Sequence, residues 1–126
     1  MVEAAHERTF VMIRPDGVQK NRITTTMQLL EQVGDIKLCA IKLSNPSRSQ
    51  LEQYHDLTPG RPLCLMVWEG NHAVTLVHNA IQYNDGLRDA VYAAESTQSA
   101  SARIASWFKP SELCDLSSSG RVVVEL

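Results

Sequence analysis

Apolar positions along the chain recur with two periods, and each period predicts a different element. Thr9–Arg14 (Thr-Phe-Val-Met-Ile-Arg) is rich in β-forming residues and stops at Pro15-Asp16-Gly17, a turn signal. In Ile23–Val33 the apolar residues Ile23, Met27, Leu30 and Val33 share one helix face, and Gly34 marks its end. Ile36–Leu43 alternates, with Ile36, Leu38, Ala40 and Lys42 on one side, and predicts a strand. Ser44-Asn45-Pro46-Ser47 is cap chemistry for a short helix bearing Leu51, Tyr54 and Leu57, and Thr58–Pro62 breaks it. Leu63–Trp68 is a continuous apolar run that predicts a buried strand. Asn71 is placed to cap a helix with Val74, Val77 and Ile81 inward. Asn84-Asp85-Gly86 reads as a turn and Arg88–Tyr92 as a short strand. Ser96 or Thr97 caps a last helix with Ala100, Ile104, Trp107 and Phe108 inward, and Pro110 stops it. Val122–Val124 predicts an edge strand.

The order β-α-β-α-β-α-β-α suits an α/β (α+β) sandwich of the ferredoxin-like kind: a four-stranded antiparallel sheet with helices on one face. A length of 126 residues supports a single core. No repeat or linker divides the chain, so residues 1–8 are expected to be an N-terminal extension, 9–116 the domain and 117–126 a tail.

Charge narrows the function classes. The net charge of −2 leaves no basic footprint for nucleic acid and no polybasic tether. Leu63–Trp68, the longest apolar run, is too short for membrane insertion. Met1–Arg8 carries Glu3 and Glu7 without an apolar core, so no secretory signal is expected there. Cys39, Cys64 and Cys114 are far apart and odd in number, which predicts reduced thiols in an intracellular compartment, most simply the cytoplasm, and neither a disulfide framework nor a metal site.

Three stretches then carry a resemblance. Glu7–Gln19 (Glu-Arg-Thr-Phe-Val-Met-Ile-Arg-Pro-Asp-Gly-Val-Gln), Met66–Gly70 (Met-Val-Trp-Glu-Gly) and Ala105–Leu113 (Ala-Ser-Trp-Phe-Lys-Pro-Ser-Glu-Leu) are similar, in order, to the first strand and turn, the third strand and the last helix of nucleoside diphosphate kinases. The resemblance implies a ferredoxin-like fold, oligomers built from dimers, and transfer of a γ-phosphate through a covalent phosphohistidine with magnesium present.

Residue by residue, the implied site departs from that pattern. Counting back from Trp107-Phe108 puts Tyr92 on the family histidine, Ala94 on a serine and Arg103 on the orienting glutamate. A phenol with an ordinary pKa near 10 is protonated at neutral pH, so Tyr92 reads as an aromatic plug. Arg14 stands for the motif lysine, Tyr54 for a cleft tyrosine, His78 for a phosphate-binding arginine, and Arg88 for a structural arginine. Two segments are short: Arg61-Pro62 runs almost directly into Leu63, and only Gln82–Leu87 precedes the last strand, where the family keeps a base clamp and a phosphate-binding loop.

These departures lead to an expectation of a pseudoenzyme: no catalytic residue, no cofactor, and a structural or protein-interaction role as a homodimer or in a larger hetero-complex. Arg14, Tyr54, His78 and Arg88 are then vestigial nucleotide-binding residues. Two alternatives stand beside it. One is a divergent kinase using ATP and magnesium, with His72, His78 or Tyr92 as acceptor. The other is a module that binds a nucleotide or another anion without turnover. The family's dimer seam corresponds here to Ile36–Leu43 and Ile23–Val33, and the shortened loop argues against a hexamer.

Overall fold

The computed structural model describes residues 6–52, 54 and 57–116; the expected Val122–Val124 strand and the rest of the tail lie outside the described residues, as do residues 1–5. Four strands form one antiparallel sheet: β1 (His6–Ile13), β2 (Ile36–Ser44), β3 (Leu63–Asn71) and β4 (Val91–Ala93), in the order β2-β3-β1-β4. The helices are α1 (Pro15–Gln19), α2 (Ile23–Gln32), α3 (Ala73–Gln82) and α4 (Thr97–Trp107).

Helices cover both faces, which corrects the expectation of one. Phe10, Met12, Leu63, Leu65 and Val67 pack under α4 with Ala100, Ile104 and Trp107. Val11, Ile13, Cys64, Met66 and Trp68 pack under α2 and α3 with Leu30, Val77 and Ile81. Central strands covered twice have no polar face, so β1 is buried from Thr9 to Ile13 and β3 from Leu63 to Gly70. Each large apolar side chain fully buried there stabilises the fold by about 1.5–3 kcal/mol.

Several local elements differ from the sequence reading. Pro15-Asp16-Gly17 opens α1 instead of forming a simple turn, because proline is pre-organised for a first helical position. A Cβ on Gly17 would lie 2.8 Å from Ile13 Cγ2 and 3.1 Å from Ala90 Cβ, so only glycine lets α1 sit this close. Of the expected inner face of α2, Leu30 is fully buried; Thr26 joins it, donating its hydroxyl to Arg22 O at 2.7 Å. A bulge between Leu38 and Ala40 breaks the alternation of β2 and turns both Cys39 and Ala40 inward. Past it, Ile41 and Leu43 on this edge strand are exposed.

The short helix expected around Leu51 is a set of i→i+3 turns, with Leu51 N–H donating to Arg48 O and Tyr54 N–H to Leu51 O. Ser47 fixes them: its N–H donates to Gln50 Oε1 and its hydroxyl accepts from Gln50 N–H, competing with a helical ladder. Asn71 does not cap α3. It still pairs with His6 at the end of β3, and His72, at φ 55°, makes the turn. The carboxylate of Glu7 on β1 accepts the Val74 N–H instead, at 3.1 Å. The strand expected at Arg88–Tyr92 shifts to Val91–Ala93, since residues 84–90 form the turn that ends with Val91 N–H donating to Leu87 O. Ser96 caps α4 as expected, accepting from Ser99 N–H at 3.0 Å. Pro110 opens a 3₁₀ turn, Pro110–Glu112, in which Glu112 accepts the Lys109 N–H at 2.7 Å.

Candidate functional site

Arg14 stands where β1 ends and α1 begins. Its backbone N–H donates to Ala90 O at 2.9 Å and its guanidinium to Asp89 O at 3.3 Å. It is thereby tied to the turn that leads into β4. On β4, Tyr92 pairs opposite Met12, and its ring meets Phe10 at 6.3 Å between centroids. These two residues line cavities on both sides.

One cavity, of about 150 Å³, is polar. Around Arg14 and Tyr92 it gathers His78 and Gln82 from α3, Arg88 from the preceding turn, and Glu95. His78 Nδ1 lies 3.4 Å from Ala93 O. Arg88 pairs with Asp85 at 3.1 Å, an exposed contact three residues back along the chain. Its guanidinium therefore remains reachable by an incoming anion, because surface pairs of this kind hold weakly.

The other cavity, of about 160 Å³, is more apolar and lies between Tyr92 and the turns after β2. Tyr54, Leu57 and Arg103 close it. The Tyr54 hydroxyl accepts from the Arg103 guanidinium and from Trp107 Nε1–H, the latter at 3.0 Å. Arg103 also stacks over the Tyr54 ring at 4.7 Å and over the Tyr92 ring at 5.6 Å. Burial disfavours the Arg103 cation, but the Tyr92 and Tyr54 hydroxyls outweigh it and raise its pKa above the ordinary value.

Arg14, Tyr54, His78, Arg88 and Tyr92 therefore converge around β4, although they come from five separate segments. His72 does not join them; it is the N-cap of α3 and lines neither cavity. Sequence reasoning missed Gln82 and Glu95 as lining residues and the pairing of Arg103 with Tyr54. The spacing of Arg103 and Trp107, four apart on one helix face, was the available signal for that pairing. Among the described residues, no group of three His, Cys, Asp or Glu side chains could hold a metal ion, and no helix is long and apolar enough to cross a membrane.

Residues 7–63 match the family model described as nucleoside diphosphate kinase. The nucleoside diphosphate kinase of Aspergillus fumigatus is 33% identical, over 86% of this chain and 90% of its own length. That of Brugia malayi is 31% identical, over 89% and 92%. Among solved structures, a nucleoside diphosphate kinase family protein from Babesia bovis superposes with a TM-score of 0.73 at 28% identity, covering 86% of this chain and 93% of its own. The Aquifex aeolicus nucleoside diphosphate kinase gives 0.74 at 20% identity, covering 86% and 99%, a likeness of fold. The match to the Aspergillus protein runs over 138 residues while drawing on 86% of a 126-residue chain, so that relative carries internal residues this chain lacks. These relatives overturn the expectation of a chain that is no enzyme. Proteins it matches over nearly their whole length carry an enzyme's name, and the structural-subunit reading loses its support with it.

Proposed function

The chain belongs to the nucleoside diphosphate kinase family, and from that premise we propose that it is a divergent phosphotransferase, moving the γ-phosphate of a nucleoside triphosphate to a nucleoside diphosphate. The observation that carries this reading is the polar cavity in which Arg14, Arg88 and His78 meet beside Tyr92. In this reading the two guanidiniums hold phosphate oxygens, as planar forks suited to such groups, and His78 is the acceptor. An Nδ1–H donating to Ala93 O leaves Nε2 with its lone pair. That nitrogen attacks the γ-phosphorus, a nitrogen–phosphorus bond forms, and the bond to the β-phosphate oxygen breaks as the diphosphate leaves. The terminal oxygen of a second diphosphate then attacks the same phosphorus and His78 is released neutral. Tyr92 forms the wall between the two cavities.

Magnesium fits as part of the nucleotide complex: it would be held by phosphate oxygens and water, which matches a cavity whose acid is the single carboxylate of Glu95. Its chemistry is to screen phosphate charge. With the base-clamping segment shortened, recognition rests on the phosphates, so the reading carries weak discrimination among bases. A second copy of the chain is the partner we infer, seated on the edge strand β2, where Leu43 is 64% exposed and Ile41 43%. The setting we infer is a reducing intracellular one, the cytoplasm. Incubation with γ-labelled ATP and magnesium tests the activity. Acid-labile label on the protein that passes to an added nucleoside diphosphate is expected; protein that takes up no label overturns the reading.

A further inference from the structure

We propose that Cys39 and Cys114 are a redox pair, closing a reversible disulfide under peroxide that fastens the segment after α4 to β2. The two residues lie 75 apart in sequence but are bonded to each other twice. Cys114 N–H donates to Cys39 O at 3.1 Å, and the Cys39 thiol donates to Cys114 O at 3.2 Å. A direct backbone N–H···O bond holds two Cα atoms at about 5–6 Å, the separation a disulfide spans. The bulge in β2 is what turns Cys39 toward this segment.

Further contacts hold the segment in place. Lys42 Nζ pairs with Glu112 at 3.0 Å and sits over the Phe108 ring at 4.7 Å, while Leu113 and Leu116 pack against the same core cluster as Cys39. The encounter is therefore pre-organised. Cys64 points into the opposite core layer, where burial pushes its thiol up to about 11, so it does not compete.

The two thiols have different accessibilities. Cys114 is exposed and Cys39 buried. Burial raises the Cys39 pKa more than nearby Arg8 lowers it, so Cys39 is the resolving partner. The Cys114 thiolate attacks an oxygen of hydrogen peroxide, the O–O bond breaks, and Cys114 becomes a sulfenic acid with loss of hydroxide. Cys39 sulfur then attacks the Cys114 sulfur, its proton passes to the departing hydroxide, and water leaves. Two thiols are oxidised, one peroxide is reduced, and two waters form.

The test uses the full chain under native conditions. Hydrogen peroxide is added, remaining thiols are alkylated, and tryptic peptides are read by mass spectrometry without reduction. The expected product links the Leu38–Lys42 peptide to the one that follows Arg103, is lost in C114S, persists in C64S and disappears with dithiothreitol. Closing so long a loop constrains the unfolded chain, so the oxidised protein should melt at least about 5 °C higher, a gain that C114S lacks. Chains linked to each other through Cys114, or Cys114 over-oxidised while Cys39 stays alkylatable, would overturn the proposal. A cross-link that forms without a rise in melting temperature would overturn the fastening.

Discussion

The two sides of Tyr92 are built from similar residue types and behave differently. Toward α4, the polar atoms answer one another: one hydroxyl, that of Tyr54, takes hydrogens from both Arg103 and Trp107, and an arginine is sandwiched between two tyrosine rings. Toward α3, the same wall meets His78, Arg88, Gln82 and Glu95 around a polar space. Arg103 is held by the Tyr54 hydroxyl and two rings, whereas Arg14 and Arg88 line a polar space beside His78, where the proposed function has them meet an anion. The space around Tyr92 thus divides into a closed half and an open half, with Arg14 and Tyr92 lining both.

The sharpest way to break that contrast is to remove the closed half's anchor. Trp107→Ala should cost about 3–5 kcal/mol in urea unfolding, because a buried ring and a bonded N–H are lost together. Phosphotransfer by the molecules that remain folded should largely survive. A stable variant with no transfer would assign chemistry to the wrong half.

Next in size is the reverse experiment. His78→Ala should lower labelling from γ-labelled ATP by more than about a hundredfold, about 2.7 kcal/mol of barrier, while the melting temperature changes little. Labelling that persists in this variant and vanishes in Tyr92→Phe would move the acceptor onto β4.

Tyr54→Phe refines the closed half. It leaves the ring stacked on Trp107 and Arg103 but removes their shared acceptor, for an expected loss of about 1–2 kcal/mol in the same unfolding measurement. An unchanged stability would mean that stacking alone holds the α4 side.

The smallest effect lies at the edge of that half, where the segment after α4 returns to β2. The Lys109 N–H, and then Lys42, hold the exposed Glu112 carboxyl below its ordinary pKa. A depressed folded value means the contribution is present above the ordinary carboxylate range. It is lost as pH falls through the lowered value. The protection factors of the Leu113 and Cys114 amides, taken against the intrinsic exchange rate at each pH, should therefore fall in acid, and Glu112→Gln should flatten that dependence.

Much of this arrangement was legible in the residues. Thr9–Ile13 and Leu63–Trp68 lie in strands because their apolar runs need cover on both sides, and the same runs carried the family resemblance. Tyr92, which the count back from Trp107-Phe108 put on the family histidine, lines one cavity with Arg14, His78 and Arg88. The glycine of Trp-Glu-Gly has a plain reason: a Cβ on Gly70 would fall 2.3 Å from Asp35 O. Other features had no local trace. Glu7 reaches 67 residues along the chain to cap α3, and the β2 bulge that exposes Cys39 to Cys114 breaks an alternation that read as regular.

The sequence by itself determined the three long strands β1, β2 and β3 and the helices α2, α3 and α4 in their order, because burial repeats with the period of each element and glycine and proline punctuate the chain. It also determined the family, through motifs that are contiguous. Only the tertiary structure decided that Arg103 belongs to Tyr54 while His78 faces the polar cavity, and that two cysteines 75 residues apart exchange hydrogen bonds. Such pairings depend on which faces the packed layers bring within about 3 Å, and a one-residue bulge or a half-turn of helix redirects them without changing any local pattern.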